Sequence, residues 1–129
     1  MTTCTYCGCG CQLELNVQNN RVIGVTTQED SGVNRGSLCV KGRFGYEFIM
    51  SRERLTTPLV RKNGELKEAS WEEALNLIAK RFGEIKNEAG PDAIAGLSSA
   101  RCSNEDNYLF QKFMRAVIGT NNVDHCARL

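Results

Sequence analysis

The sequence predicts a mixed fold of the α+β or α/β class, in which a small β-hairpin domain precedes the first strand and helix elements of a larger α/β domain. Two observations predict it. Cysteines are concentrated before residue 40, beside a segment in which apolar and polar residues alternate. Beyond residue 54 the apolar residues recur at helical spacing, in two segments separated by a short apolar run. We therefore expect a metal-binding domain over residues 1–53 and the incomplete beginning of a second domain over residues 54–129.

Four cysteines of the first domain have the spacing of a metal-binding motif. Cys4, Cys7 and Cys11 are close in sequence, and Cys39 is supplied by a later segment. Thiolates are soft ligands, and four of them select an iron–sulfur cluster or zinc. A cluster is favoured because a structural zinc site usually contains two Cys-x-x-Cys pairs, and this motif contains only one.

Cys9 is an additional thiol inside the motif. Gly8 and Gly10 flank it, and glycine permits the positive φ angles and close backbone approach that wrapping a cluster requires. From so tight a turn we expect the side chains of Cys7 and Cys9 to point in divergent directions. Cys9 is therefore predicted to be a free thiol beside the cluster.

An antiparallel hairpin should follow the third thiol. Residues 12–17 alternate in polarity, Asn19-Asn20 marks a turn, and residues 21–27 return as a second strand. A polar loop over residues 28–37 then leads to Cys39. The apolar side chains of residues 43–50 should either cover the cluster or form ordinary core. A metal centre would supply stability that so short a domain lacks.

The second domain should begin with a hairpin and a helix. Residues 58–61 are predicted to be extended, and Asn63-Gly64 is a hairpin-turn signal. Ser70 and Glu73 form a capping box at the start of a helix over residues 71–87. This helix is amphipathic, so one of its faces needs a covering element.

The remaining elements predict the start of an α/β layer with a parallel sheet. Residues 93–97 form a short apolar run typical of a buried strand, and residues 98–103 form a loop. Asn104 is expected to cap a helix over residues 104–118 with a broad apolar face.

Three further residues carry weaker signals. We interpret Cys102 and Cys126, which stand apart from the motif, as small buried residues. His125 is the only histidine, and it lacks carboxylate or histidine partners at metal spacing, so we interpret it as structural.

Composition and charge exclude several functional classes. The net charge is +1 with acids and bases interspersed, which gives no electrostatic footprint for nucleic acid. No apolar run approaches the ~20 residues that span a bilayer. Seven cysteines clustered towards one end argue against a disulfide framework, and the first ligand at position 4 leaves no room for a signal peptide. We therefore expect a cytoplasmic location.

The motif residues resemble a known family. The run Cys-Thr-Tyr-Cys-Gly-Cys-Gly-Cys at residues 4–11, with Cys-Val-Lys-Gly at residues 39–42, resembles the N-terminal cluster domain of molybdopterin oxidoreductases. Residues 54–61 and 70–74 resemble the segments that follow it there. Residues 98–101 and the stretch from Gly119 to Arg128 resemble, more narrowly, the catalytic subunit of molybdenum- or tungsten-dependent formate dehydrogenases.

The resemblance implies roles for individual residues. Cys4, Cys7, Cys11 and Cys39 would ligate one 4Fe-4S cluster. Lys41 would lie between this cluster and one pterin of a bis-molybdopterin guanine dinucleotide that carries molybdenum or tungsten, where a cationic donor can bond to both and relay electrons.

Arg101 would lie near the pterin or its phosphates. It is predicted to lie in a loop that follows a strand. Ligands of α/β sheets favour this position beyond the carboxyl end of a strand.

The resemblance also implies a reaction and partners. The whole enzyme would oxidise formate to CO2 and pass electrons through the pterin, Lys41 and the cluster to an iron–sulfur subunit or ferredoxin. The remainder of the catalytic subunit would be a further partner. Residues 1–129 contain no catalytic residue of the family, so this portion alone would not be catalytic. Two alternatives stay open, a stand-alone ferredoxin-like electron carrier and a zinc-stapled interaction module.

In formate dehydrogenases the metal-binding selenocysteine or cysteine would directly follow Leu129. Because UGA encodes selenocysteine and is also a stop codon, we expect the chain to be truncated at such a codon. Sequencing the DNA should then show UGA, an in-frame histidine codon, a long open frame and a selenocysteine-insertion hairpin. A UAA or UAG stop without an open frame beyond it would contradict this expectation.

Overall fold

The structure, a computed structural model, describes residues 1–30 and 32–126. Ser31, in the loop predicted over residues 28–37, and residues 127–129, at the end of the formate-dehydrogenase-like stretch, lie outside the described residues. The chain divides into two compact units. In the part of the chain that the structure describes, helices, 3₁₀ turns and three small sheets alternate, which confirms the predicted mixed fold class.

The first unit comprises Met1–Arg54, Leu97–Gln111 and Asp124–Leu129. Its sheet has the order β1-β2-β3, with β1 at Thr2–Thr3, β2 at Gln12–Gln18 and β3 at Arg21–Thr26. Both pairings are antiparallel, so the hairpin predicted after the third thiol is confirmed. Asn19 and Asn20 turn the chain with φ angles of 49° and 59°, as the mirror-image hairpin turns require. The short strand β1 was not predicted.

The core of this unit is small and includes a thiol. Cys4, Leu13 and Val25 are buried, and Tyr6, Cys11, Leu38 and Tyr46 pack against them. Helix α1 (Val40–Phe44) and a 3₁₀ helix (Gly45–Met50) follow Cys39. Of the apolar side chains expected to cover the cluster, Tyr46 packs on this core, whereas Phe44 is 67% exposed.

Helix α3 (Asn104–Lys112) begins differently from the prediction. The hydroxyl of Ser103 accepts the N–H of Asp106 at 3.2 Å, and the Asp106 carboxylate accepts the N–H of Ser103 at 3.3 Å. Ser103 and Asp106 therefore form a reciprocal capping box, and Asn104 is the first helical residue. The prediction that Asn104 caps this helix was wrong, which leaves its side chain available for another partner.

The second unit comprises Leu55–Gly96 and Lys112–Val123. It begins with an antiparallel hairpin of β4 (Leu59–Lys62) and β5 (Glu65–Glu68), as predicted. Asn63 and Gly64 form its turn, with φ angles of 54° and 87°.

Helix α2 (Trp71–Ala89) has the predicted cap. The hydroxyl of Ser70 accepts the N–H of Glu73 at 3.1 Å. The Glu73 carboxylate, which was expected to reach back to the cap, pairs with the ammonium group of Lys62 at 2.5 Å. Gly90, with φ 81°, ends the helix and is followed by Pro91.

The strand predicted over residues 93–97 is shorter and begins later. Pro91–Ala93 form a 3₁₀ turn because proline favours the first position of a helical turn, and β6 begins only at Gly96. Ile94 is buried as expected, but Leu97 is 82% exposed. Strand β6 (Gly96–Ser98) pairs with β7 (Val123–His125), a strand that was not predicted.

The helix predicted up to residue 118 does reach that residue. Its last part, Phe113–Ile118, is a π-helix that ends at Gly119 in the left-handed region. Met114 and Ile118 are buried, whereas Val117 is exposed.

Helix α2 presents a row of large apolar side chains to solvent. Trp71, Leu75 and Ile78 follow each other at helical spacing and are 69%, 56% and 48% exposed. Among the described residues, no helix is long and apolar enough to cross a membrane.

We predict that Ser70→Ala destabilises helix α2. The change removes the acceptor of the Glu73 N–H, and loss of such a cap typically costs about 1 kcal/mol. Urea unfolding followed by circular dichroism should show a lower midpoint for Ser70→Ala. Ser70→Asp should retain most of the stability because aspartate also caps helices. An unchanged midpoint for Ser70→Ala would contradict the capping role.

Candidate metal centre

The four predicted ligands come from two segments that the hairpin brings together. Cys4, Cys7 and Cys11 lie on the N-terminal segment, where the N–H of Cys4 donates to the carbonyl of Cys11 at 2.8 Å and closes the loop between them. Cys39 lies immediately before helix α1. Cys4 is buried, Cys7 and Cys11 are half-buried, and Cys39 is exposed.

A close approach between Cys4 and helix α1 joins the two segments. A Cβ atom added to Gly42 would lie 3.5 Å from the sulfur of Cys4 and 3.3 Å from the side chain of Leu38. Gly42 is buried, so a larger side chain would push the helix away from Cys4. Glycine at this position therefore keeps the segment that carries Cys39 beside the first thiol.

The side chain of Asn34 links the same two segments by hydrogen bonds. Its Oδ1 accepts the N–H of Gln12 at 2.7 Å, and its Nδ2 donates to the carbonyl of Gln12 at 3.1 Å. Nδ2 also donates to the carbonyl of Ser37 at 2.9 Å. The amide thus ties the residue after Cys11 to the loop that leads to Cys39.

The thiols are close enough to affect each other's ionisation. Burial raises the pKa of Cys11, and the neighbouring thiols of Cys4, Cys7 and Cys39 raise it further because like charges repel. The structure therefore brings all four predicted ligands into one electrostatic neighbourhood. Such a group of thiolates needs a cationic centre to remain ionised together.

Backbone N–H groups favour the thiolate form of Cys39. The backbone N–H groups of Gly42 and Lys41, in the first turn of helix α1, lower the pKa of Cys39, and the ammonium charge of Lys41 adds to the effect. Lys41 is itself exposed. The structure thus places Lys41 beside one of the predicted ligands.

Cys9 lies within the same group of thiols and is exposed. A hydrogen bond with the Cys7 side chain raises the pKa of Cys9, and the charges of Cys7, Cys11 and Cys39 add to this. The expected divergence of Cys7 and Cys9 was wrong, because the two side chains are within hydrogen-bonding reach. That Cys9 is not a ligand stays a prediction.

An apolar recess of about 150 Å³ adjoins Cys4. Its lining includes Tyr6, Leu13, Val25 and Phe48, with Gly42 at the side of helix α1. The rings of Tyr6 and Phe48 meet edge to face at 6.0 Å. This side of the thiol group is therefore lined by apolar side chains, and the polarity around a cluster is one of the factors that tune its potential.

The donor set fits an iron–sulfur cluster. It consists of thiols, with N–H groups directed at one sulfur and apolar side chains on one side. Among residues 1–30 and 32–126, no three histidine, cysteine or acidic side chains converge tightly enough to hold a single metal ion.

Arg101 lies in a different part of the first unit. It is exposed in the loop between β6 and α3, where its N–H donates to the hydroxyl of Ser99 at 3.1 Å. The N–H of Ala100 donates to the sulfur of Cys126 at 3.3 Å, and this bond lowers the pKa of that thiol, with smaller contributions from Ser99 and Arg101. The structure thus groups Arg101 with Cys126.

Cys126 and Cys102 differ in exposure. Cys126 is exposed, so its interpretation as a small buried residue was wrong, whereas Cys102 is half-buried.

Sequence reasoning missed two asparagines that organise the ligand segments. Asn34 links the segments of Cys11 and Cys39, and Asn104 donates to the carbonyl of Gly8 at 2.8 Å. The Ser103-x-x-Asp106 pattern is a capping signal, and it could have shown that the side chain of Asn104 was not needed as a cap. No local pattern indicated the role of Asn34.

Comparisons with known proteins agree with this geometry. Residues 1–51 match the family described as molybdopterin oxidoreductase Fe4S4 domain, and residues 54–129 match the family described as molybdopterin oxidoreductase. The chain is 50% identical over 127 residues to "Probable oxidoreductase YjgC" of Bacillus subtilis strain 168. It is 51% identical over 127 residues to proteins named "Putative formate dehydrogenase" of Staphylococcus aureus strains MW2 and N315. Each match covers 98% of this chain and 13% of the relative's length.

We predict that Cys4, Cys7, Cys11 and Cys39 bind iron and that Cys9 does not. Replacing any of the four by serine should lower the iron content of the anaerobically reconstituted chain, because alkoxide is a poor ligand for this metal centre. Cys9→Ser is the matched control and should retain the iron. Loss of iron in Cys9→Ser together with its retention in Cys7→Ser would show that the ligand assignment is wrong.

Proposed function

Since this chain belongs to the molybdopterin oxidoreductase family, we propose that it is the iron–sulfur electron-transfer portion of a formate dehydrogenase. The observation that carries the proposal is that the thiols of Cys4, Cys7 and Cys39, which come from two segments, act on the ionisation of Cys11, and that an apolar recess adjoins Cys4. The names of the Staphylococcus aureus relatives support formate as the substrate. The whole enzyme would convert formate into CO2, a proton and two electrons.

The proposed cofactors are one 4Fe-4S cluster in this chain and a bis-molybdopterin guanine dinucleotide with molybdenum or tungsten in the whole enzyme. When bound, the pterin-held metal would take the electrons from formate and the cluster would carry them singly to an iron–sulfur subunit or ferredoxin. The two matched family descriptions support a molybdopterin and a 4Fe-4S group. We place the enzyme in the cytoplasm.

The residues of this chain would hold and tune the cluster. Cys4, Cys7, Cys11 and Cys39 would bind it through their thiolates. The N–H groups of Lys41 and Gly42 favour the thiolate form of Cys39, and donors to a ligating sulfur would stabilise the more negative, reduced state of the cluster. Burial of Cys4 would exclude water from one side.

Lys41 would connect the cluster to the pterin. Its backbone lies next to the Cys39 sulfur, and its side chain is exposed, so the ammonium group is free to reach a second group beyond the surface of this unit. A cation placed between two electron carriers stabilises the negative charge of either when it is reduced. We therefore assign Lys41 the role of an electron relay.

Arg101 would contact the pterin or its phosphates. It is exposed in the loop after β6, and a guanidinium group forms paired hydrogen bonds with phosphate. The domain division proposed for residues 1–53 and 54–129 would place this loop in the pterin-binding part.

The exposed apolar row of helix α2 supports a larger polypeptide over a stand-alone carrier. Trp71, Leu75 and Ile78 face solvent, and rows of this kind usually mark a surface that another element covers. The chain also spans only 13% of the length of the relatives it matches. We propose that the remainder of a catalytic subunit packs on this unit.

Anaerobic reconstitution of the chain with iron and sulfide tests the proposal. We expect about four iron and four sulfide per chain, a brown colour with broad visible absorbance, and bleaching by dithionite. Zinc in place of iron, with no visible absorbance, would favour the zinc-stapled module instead. In the longer protein that contains this sequence, formate should bleach the same absorbance, and failure to do so would overturn the substrate assignment.

We predict that Lys41→Ala leaves the iron content unchanged and makes the cluster harder to reduce. Loss of the ammonium group removes a positive charge near the Cys39 sulfur, so the reduced state is less stabilised and the midpoint potential falls. In the longer protein, reduction by formate should also be slower. Lys41→Arg should behave more like the wild type, and Lys67→Ala, at an exposed lysine of the other unit, is the control. An unchanged potential and an unchanged rate would exclude the relay role.

A further inference from the structure

Asn104 makes a contact with the ligand loop that the proposed function does not use. It lies 96 positions after Gly8 in the sequence, and both residues belong to the first unit. The Nδ2 of Asn104 donates to the carbonyl of Gly8 at 2.8 Å. Gly8 lies between Cys7 and Cys9, so this bond holds the Gly8–Cys9 peptide within the ligand loop.

The space around Gly8 gives a second, independent observation. A Cβ atom added to Gly8 would lie under 3.0 Å from the Oδ1 of Asn104, closer than real Cβ atoms come to other atoms. Gly8 does not have a positive φ, unlike Gly10 with φ 71°. A side chain at position 8 would therefore displace the Asn104 amide, whereas the backbone conformation there does not require glycine.

The start of helix α3 holds Asn104 in place for this contact. Ser103 and Asp106 cap the helix, so the side-chain amide of Asn104 is not needed for capping. The first helical hydrogen bond, from the Asn107 N–H to the Ser103 carbonyl, fixes the backbone on which Asn104 lies. A rigid helix end therefore presents the amide to the loop.

We propose that Asn104 is a positioning residue for the metal centre, which clamps the Cys7-Gly8-Cys9 turn in the conformation that binds the cluster. This inference rests on the proposed function, because it takes Cys7 as a ligand. The clamp acts through the Gly8 carbonyl and contacts no ligand sulfur directly. Partners that orient metal ligands typically affect metal retention about 10- to 100-fold.

The first test measures cluster retention. Asn104→Ala should assemble a cluster with the wild-type iron content but release iron to a chelator at least about tenfold faster. Asn104→Asp should behave like Asn104→Ala, because a carboxylate has the same shape but cannot donate to the Gly8 carbonyl. Asn107→Ala is the matched control, since Asn107 lies on the same helix and donates to the Ser99 carbonyl at 3.1 Å. Equal release rates in Asn104→Ala and the wild type would overturn the proposal.

The second test is a double-mutant cycle. Gly8→Ala alone should accelerate iron release, because its new methyl group collides with Asn104. Gly8→Ala combined with Asn104→Ala should release iron little faster than Asn104→Ala alone, since the colliding side chain is gone. Additive effects of the two changes would show that Gly8 and Asn104 act independently and would overturn the clamp.

A third measurement separates the clamp from the proposed function. Hydrogen exchange of the metal-free chain should show faster exchange at Cys9 and Gly10 in Asn104→Ala, with the β2–β3 hairpin unchanged. If the wild type assembles no cluster, the proposed function fails while this exchange difference still reports the clamp. If the cluster assembles but exchange and iron release do not change in Asn104→Ala, the proposed function stands and the clamp is wrong.

Discussion

The first unit has to hold several cysteines close together, and their thiolate forms repel each other. Burial raises the pKa of Cys11, and the charges of Cys4, Cys7 and Cys39 raise it further. The core beneath them is small, and one of its buried side chains is the thiol of Cys4. A cationic centre would bind the thiolates and so offset the repulsion between them. Folding of the unit and binding of a cluster are therefore expected to be coupled, as in other small metal-nucleated domains.

Polar contacts between distant segments keep the thiols near each other before any metal arrives. Asn34 connects the segment of Cys11 with the loop that leads to Cys39, and Asn104 reaches the turn after Cys7. Gly42 allows helix α1 to contact Cys4. Each contact restricts one ligand segment, so less conformational entropy remains to be lost when the cluster binds. A preorganised ligand set binds more tightly than the same thiols on a flexible chain.

Local signals in the sequence predicted the elements that local interactions determine. The two hairpin turns at Asn19-Asn20 and Asn63-Gly64 follow from residues that tolerate positive φ angles, and the start of α2 follows from Ser70. The ligand set could be proposed in the same way, because three of its cysteines lie within one short segment. The start of α3 was assigned one residue too late, since serine and asparagine are nearly equal as caps and only Asp106 distinguishes them.

What the sequence did not predict depends on partners that are distant along the chain. Strand β7 pairs with β6, and the sulfur of Cys126 accepts the N–H of Ala100, 26 positions earlier. Gly8 illustrates the same limit within the motif itself. A glycine between two cysteines suggests a backbone requirement, yet its φ is ordinary and the constraint comes from a side chain 96 positions away. The spacing of a metal motif can therefore identify its ligands, whereas the reason for the residues between them lies in the tertiary structure.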